Sequence, residues 1–321
     1  MPGYKALILA AGLGRRLRPI THRRPKALMP VCNVPCVDLL AMHLKAAGVR
    51  SLAINVYHLP NLIERHVDGG RHYGMPVRIS REEHILGIGG AIGKLRDFWD
   101  DAPFLVVNGD LVETLDLPAA LKHHQERGNI ATMILHDHPR FNNVWVDAFD
   151  RVIGVGEMMA SESLKPVQRL AFTGVHVISP EILRFLPRNG YSDILEVYLN
   201  LAAKGAVIGG FMAKGHYWRD LGTVEDYRDV HADLYRGTAP PELILQECSW
   251  PFVHPEARVD QKAELRGWSC VGAESIVGPG CTLENTLVLG NAVIEPGLSM
   301  REAVVADGAI VRESAVGGVI I

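Results

Sequence analysis

Directly after the apolar run Lys5–Ala10, the chain reads Ala11-Gly12-Leu13-Gly14-Arg15-Arg16-Leu17-Arg18-Pro19, and Pro25-Lys26 follows. Two glycines in such a turn let the backbone approach a ligand closely and aim its N–H groups at phosphate oxygens. Arg16 and Lys26 are the natural cations for a triphosphate held there. No Gly-Lys-Ser/Thr follows, so the segment is not a Walker A loop. Nor is it a dinucleotide fingerprint, because the glycines run into a basic, proline-containing stretch instead of a helix start. Asp110 stands just past a second apolar run, Leu105-Val106-Val107-Asn108-Gly109. An acid there lies at the carboxyl edge of a sheet, where metals and phosphates meet, although a turn or a helix cap uses the same placement. Asp220, in Trp218-Arg219-Asp220-Leu221-Gly222-Thr223, sits in a strand-to-helix turn, with Thr223 able to cap the helix that follows. Gly87, Gly89 and Gly90 form a glycine-rich turn ahead of a helical stretch, Ile92–Phe98, and need no ligand to explain them.

These groups require a scaffold of strands with helices between them. Lys5–Ala10, Ser51–Val56 and Phe104–Val107 are nearly continuous apolar runs, as expected of parallel strands covered on both faces. Between the first two, Val37, Leu40, Ala41, Leu44 and Ala47 share one helical face, and Gly48 ends that helix. The βαβ pattern predicts an α/β domain, doubly wound and Rossmann-like, over residues 1–236, with ligands at the carboxyl ends of its strands. Arg236-Gly237-Thr238-Ala239-Pro240-Pro241 reads as a linker.

Beyond it, residues 237–321 carry an internal repeat. Val253, Val259, Leu265, Val271, Val277, Leu283 and Leu289 are spaced at steps of six, and Ala257, Ala263, Ser269, Ser275 and Cys281 each stand two residues before one of them. The period slips after Leu289 and resumes through Ile294, Met300, Val305 and Val311. That is the signature of a hexapeptide β-helix, whose coils of three short strands stack on one another. The steps from Val253 to Leu289 are expected inside, and Trp250, Trp268, Ile276 and Val288 outside. With the apolar Gly317–Ile321 end, this predicts that the tail forms a homo-oligomer contact and adds no catalytic group.

Composition narrows the classes. The chain has 321 residues, 48% hydrophobic and 21% charged, with a net charge of -3, which argues against a dedicated nucleic-acid binder. No apolar run approaches the ~18 residues that span a bilayer, and the amino terminus does not read as a signal peptide. Five cysteines (Cys32, Cys36, Cys248, Cys270 and Cys281) without a C-x-x-C pair suggest reduced thiols in a cytoplasmic protein. His123-His124 and His136-Asp137-His138 match no common metal spacing and are expected at surface helix and strand-end positions.

The first segment resembles the signature of the sugar-1-phosphate nucleotidylyltransferases, G-x-G-x-R-L-x-P-x-T followed by P-K and a further proline. Here it reads Gly12, Gly14, Arg16, Leu17, Pro19, Thr21, Pro25, Lys26 and Pro30, with Arg15 where many members have Thr or Ser. The resemblance implies that Ala11, Gly12, Gly14 and Arg15 bind the nucleotide and that Arg16 and Lys26 act on its phosphates. It makes Asp110 and Asp220 the two carboxylates on a Mg²⁺ ion, the latter from a segment like the family's W-x-D-x-G-T. Gly87, Gly89 and Gly90 resemble the turn that reads the base, with Ile88 in place of the usual Thr. On the sugar side, Glu157 resembles the acid of V-x-E-K-P, with Met158 where the family has Lys. Gly174, in Phe172-Thr173-Gly174, resembles a sugar-contacting glycine, and Asn142-Asn143 replaces an aromatic-Gly pair, which puts Asn143 at the sugar. The missing Lys leaves Lys165 or Arg219 as cations for the sugar phosphate.

The implied reaction joins an NTP to a sugar-1-phosphate and releases pyrophosphate. The β-helix tail favours GTP and mannose-1-phosphate, because many guanylyltransferases of the family carry one. Gly89-Gly90 and Phe172-Thr173-Gly174 suggest instead a uridylyltransferase acting on N-acetylmuramate-1-phosphate. Two other classes fit less well. An acyltransferase function on the β-helix would have only His254 as its base. A non-catalytic, nucleotide-sugar-sensing subunit would have no need of Arg16, Lys26, Asp110 and Asp220 together.

Overall fold

A computed structural model describes residues 3–161, 165–244 and 249–321, which leaves Cys248 outside the described residues. Packing sorts the chain into two compact units that interleave in sequence. One comprises residues through Gly12, Leu40–Gly109 and Thr114–Trp218; the other comprises Leu13–Leu39, Asp110–Glu113 and Arg219–Ile321. This division follows contacts rather than chain order, so it crosses the linear boundary expected at 236/237.

The first unit is built on a mixed sheet. Strands Tyr4–Ala10, Val49–Val56, Val77–Arg81 and Phe104–Asn108 run parallel, with Tyr4–Ala10 between Val49–Val56 and Phe104–Asn108. Gln168–Ile178 runs antiparallel to Phe104–Asn108, and Ala131–His136 pairs with it and, in parallel, with Ile208–Met212. The parallel strands are continuous apolar runs because successive residues, such as Ala6, Leu7 and Ile8 or Leu52, Ala53 and Ile54, are buried on both faces.

The glycine-rich segment differs from expectation. Its helix spans Gly87–Lys94, so the glycines form the helix rather than a turn before it. Close approach to the 187–192 segment explains this. A Cβ on Gly93 would lie 2.0 Å from the Pro187 carbonyl oxygen, and one on Gly90 would lie 2.4 Å from that of Gly190.

The histidines also differ. His124 and His136 are buried, not surface residues. His124 sits on the inward face of the helix Leu117–Arg127, and its ring nitrogens contact the hydroxyls of Thr132 and Ser179 at 2.9 Å each. Burial lowers the pKa of His124 and of His231 to about 4, and that of His176 to about 3. A histidine held neutral in the native state lets the unfolded chain take up the proton first as pH falls below ~6.5. Stability should therefore be constant with respect to these groups above pH 7 and decline between pH 6.5 and 4, by roughly 3 kcal/mol for each histidine shifted to about 4. Thermal midpoints over pH 8 to 4.5 check this, and a flat profile between pH 7 and 5 would mean that these rings are protonated in the native state.

The carboxyl-terminal part of the second unit is a left-handed parallel β-helix. Its strands form three parallel sheets: five strands from Phe252–Val253 to Val319–Ile320, four from Arg258–Val259 to Ile310–Val311, and four from Glu264–Arg266 to Ala315–Val316. One coil separates Val253 from Val271 and Leu265 from Leu283, a full three hexapeptides. The next separates Val271 from Val288 and Leu283 from Met300, one residue fewer. The slip therefore falls between Leu283 and Val288, and Val288 takes the inward position expected of Leu289. Val271, Val277, Leu283, Val288, Ile294, Met300, Val305 and Val311 fill the core. Trp268 is likewise buried rather than outward, whereas Val253, at the first coil, is 41% exposed. The small residues have a polar role: Ser269 and Ser275 donate to the Leu283 and Leu289 carbonyls and accept from the Thr286 and Ala292 amides, lacing one coil to the next.

Candidate functional site

The basic loop belongs to the second unit, and alternation of burial sets its shape. Leu17, Ile20, Thr21, Ala27 and Leu28 are buried, and that leaves Arg15 and Arg16 pointing outward. Gly14 has φ +60° and begins the short turn Arg15–Leu17, and its carbonyl accepts from the Thr21 hydroxyl at 2.9 Å. A Cβ there would lie 2.7 Å from the Thr21 methyl, so glycine is required on both steric and backbone grounds. Lys26 opens a second tight turn, Lys26–Leu28.

Two acids meet this loop. Asp110 precedes the short strand Leu111–Glu113 and Asp220 ends the strand Trp218–Asp220. The Leu221 amide donates to the Asp110 carbonyl at 2.9 Å, which brings the two acids side by side. The Lys26 ammonium pairs with Asp110 and lies 3.3 Å from the Asp220 carboxylate. Arg16 reaches the other Asp220 oxygen at 3.9 Å. A Cβ on Gly222 would come within 2.8 Å of the Arg16 guanidinium, so this glycine keeps Arg16's position open. Thr223 caps the helix Val224–Arg236 by accepting from the Asp226 amide at 3.1 Å, so capping and an acid at the site coexist in one segment.

Electrostatically the site is an acidic pair held together by a cation. Burial and the neighbouring Asp110 charge raise the Asp220 carboxyl above its usual range, against the opposing pull of Lys26 and Arg16. Burial pulls the Lys26 ammonium down, but the charges of Asp110 and Asp220 outweigh it and its pKa is raised overall. Lys26 is therefore a fixed positive charge at neutral pH. Two partly buried carboxylates converging on one point, with hard oxygen donors, fit a divalent cation in the place where the Lys26 ammonium now stands.

The other expected residues, Arg219 apart, lie in the first unit. Ala11 is buried and Gly12 is exposed, and a Cβ on Gly12 would meet nothing within 4 Å. The Gly89 and Gly90 amides both donate to the Ser192 carbonyl, so what these glycines offer a ligand is close approach rather than those donors. Glu157 is exposed at the tip of the hairpin that pairs Val155 with Met158. The Gly156 amide donates to the Asn143 carbonyl at 2.7 Å, which places Asn143 beside that hairpin. Gly174 lies at φ +85° inside Gln168–Ile178, where the pairing register shifts. Arg219 is not a spare cation: it is paired with Asp233 at 2.5 Å and Asp229 at 3.2 Å.

Sequence reasoning missed a buried polar chain at the end of the first strand. Asn55 accepts from the Ala10 amide and donates to Glu82, whose other oxygen accepts from the Leu86 amide. This fixes the end of the first strand and the start of the glycine helix together. It also missed a cleft of about 860 Å³ lined by His136, His138, Lys214, His216 and Trp218. Its only sequence signal is that Trp218 stands two residues before Asp220.

A basic loop that follows the first strand of a Rossmann-like sheet in the chain, with two carboxylates converging on its lysine, has the charges that phosphate chemistry needs. The family follows from comparison: residues 5–237 match the family model described as "Nucleotidyl transferase", and the chain belongs to that family. Among its relatives, a mannose-1-phosphate guanylyltransferase of Mycobacterium tuberculosis is 30% identical, with 90% of this chain and 81% of that one covered. A UTP–glucose-1-phosphate uridylyltransferase of Synechocystis is 28% identical over 90% of this chain and 82% of its own. A mannose-1-phosphate guanylyltransferase catalytic subunit beta of Danio rerio is 27% identical over 90% and 92%.

Proposed function

We propose that this nucleotidyltransferase joins an NTP to a sugar-1-phosphate, releasing pyrophosphate, with GTP and mannose-1-phosphate as its substrates. The observation that carries the reaction is the convergence of Lys26, Arg16, Asp110 and Asp220. A sugar-phosphate oxygen attacks the α-phosphorus, the bond to the β-phosphate bridging oxygen breaks, and pyrophosphate takes that electron pair. The attacking oxygen is already ionised near neutral pH, since a phosphate monoester's second pKa is ~6, so no general base is needed. Asp110 and Asp220 would hold Mg²⁺, which supplies charge neutralisation on the phosphates. Arg16 and Lys26 stabilise the leaving pyrophosphate, while the glycines at 12, 14, 87, 89 and 90 admit the nucleotide closely. Asn143, Glu157 and Gly174 face the sugar. With Arg219 paired to Asp233 and Asp229, Lys165 is the remaining cation for the sugar phosphate in place of the family lysine that Met158 displaces. The guanylyl assignment rests on the mannose-1-phosphate guanylyltransferases among the relatives. A pyrophosphate-release assay over a matrix of NTPs and sugar-1-phosphates tests it, and preferred use of UTP with any sugar-1-phosphate overturns it.

Among the described residues, no helix is long and apolar enough to cross a membrane. The four described cysteines are buried and none is in a disulfide, in keeping with action in the cytoplasm. The β-helix carries the oligomer contact. On the outer face of one of its sheets Ile276, Val293 and Ile310 stand in register, with Ile276 42% and Ile310 52% exposed. A second copy covering this apolar stripe removes it from water. Light scattering should give an oligomer for the full chain and a monomer for the Ile276→Glu/Ile310→Glu double variant. A monomeric wild type, or an unaffected oligomer, removes this face from the contact.

A further inference from the structure

Lys26 is held in place from the carboxyl-terminal coil. The Arg24 Nε donates to an Asp307 carboxylate oxygen at 2.9 Å, and an Arg24 terminal nitrogen pairs with the other oxygen. The remaining Arg24 nitrogen donates to the Leu28 carbonyl at 3.2 Å. One planar guanidinium thus spans the turn that contains Lys26 and forks onto a β-helix carboxylate, a geometry that lysine cannot reproduce. Both side chains are mostly buried, at 24% and 17% exposed. Asp307 is itself fixed. Its carboxylate accepts from the Gly290 amide of the adjoining coil at 3.2 Å, and its carbonyl accepts from Arg23 at 2.6 Å. Further fastenings come after the Lys26–Leu28 turn: Tyr227 hydroxyl to the Pro30 carbonyl, Cys32 amide to His231, and Asn33 to the Val271 carbonyl. Ahead of Lys26, Arg23 and Arg24 both reach Asp307, and of the two Arg24 also holds the Leu28 carbonyl across the turn.

We propose that Asp307 is a positioning residue for the reaction: through Arg24 it fixes the turn that aims the Lys26 ammonium at the transferred phosphates. The β-helix is then part of the catalytic apparatus, although none of its groups touches substrate. The proposal rests on the reading of Lys26 as a phosphate-binding cation. Misplacement of a reacting group by about 1 Å costs on the order of 100-fold in rate, so loss of this tether should be read in turnover.

The test uses the full chain, with steady-state pyrophosphate release and thermal midpoints for the wild type and five variants. Asp307→Asn should lower kcat about 10- to 100-fold while KM for the nucleotide changes little, and Asp307→Glu should recover part of the loss. Arg24→Lys keeps a charge opposite Asp307 but cannot also hold the Leu28 carbonyl, so it should lower kcat as well; it serves even if Asp307→Asn folds poorly. Glu302→Gln is the control. Its 2.9 Å pair with Arg228 joins the helix Val224–Arg236 to the same β-helix without touching the loop, and its kcat should match wild type. Wild-type kcat in Arg24→Lys, or equal losses in Asp307→Asn and Glu302→Gln, overturns the proposal. Lys26→Ala separates the two readings. If it keeps full activity, the assignment of Lys26 fails; if it is inactive while the Asp307 and Arg24 variants are not, only the positioning role fails.

Discussion

Asp110→Asn and Asp220→Asn should each lower turnover by about 100- to 1,000-fold, equivalent to ~2.7–4 kcal/mol of transition-state stabilisation, without loss of folded protein. The two parts of this expectation have one cause. The acids stand side by side, and burial and the Asp110 charge raise the Asp220 carboxyl above its usual range. At neutral pH an acid shifted in that direction is ionised at the expense of stability, because the native state favours the protonated form relative to the unfolded chain. Asparagine removes the repulsion, so the thermal midpoint should stay constant or rise while activity falls. That opposition is the mark of a functional rather than structural pair. Lys26 retains one carboxylate partner in either variant, so no buried cation is stranded. Divalent-cation binding, followed by calorimetry with a nonhydrolysable nucleotide, should weaken in parallel. Near-normal turnover in both variants at saturating Mg²⁺ would sink the two-carboxylate assignment.

How far the sequence discloses this arrangement depends on the range of the interactions involved. The apolar runs at Lys5–Ala10 and Phe104–Val107 declare strands because a buried parallel strand must be apolar on both faces. The hexapeptide repeat declares the β-helix because each coil repeats the same inward position. The place where its period slips is less legible. Val288 and Leu289 are both aliphatic, and only stacking against Val271 and Val305 decides which points inward. The burial of His124 is similarly hidden, since its partners Thr132 and Ser179 come from elsewhere in the chain. At the site, Lys26 and Arg16 are recognisable from residue type and neighbours, whereas Asp110 and Asp220 read equally as turn residues until the family resemblance singles them out. The Arg24–Asp307 fork is not, because 283 positions separate its members. Arg24 reads as another basic residue in a basic loop, and Asp307 as an acid in a β-helix turn. The same holds for Glu82, which looks like a solvated charge beside Glu83 until Asn55 and the Leu86 amide are found on its two oxygens.

Lys26 and Arg16 should separate from each other when each is removed. Lys26 is embedded between the carboxylates and is 15% exposed, so Lys26→Ala removes the cation that touches both and leaves the acids only the 3.9 Å approach of Arg16 to Asp220. Turnover should fall by about 100-fold or more, and the thermal midpoint should fall with it, unlike in the aspartate variants. Arg16 is 62% exposed and its ionic contact among the described residues is the 3.9 Å approach to Asp220, so the fold asks little of it. Arg16→Ala should leave the midpoint unchanged. On the proposed role its guanidinium meets the pyrophosphate as charge develops there, so kcat should fall more than KM for the nucleotide rises. Arg16→Lys should restore little, because a point charge cannot take two phosphate oxygens in one plane. Steady-state kinetics with saturating sugar-1-phosphate, varying the nucleotide, reads both numbers. An Arg16→Ala enzyme with unchanged kcat and raised KM would make Arg16 a ground-state nucleotide contact. In that case the charge on the departing pyrophosphate would fall to Lys26, and the Lys26→Ala loss should then account for nearly all of the phosphate-directed stabilisation.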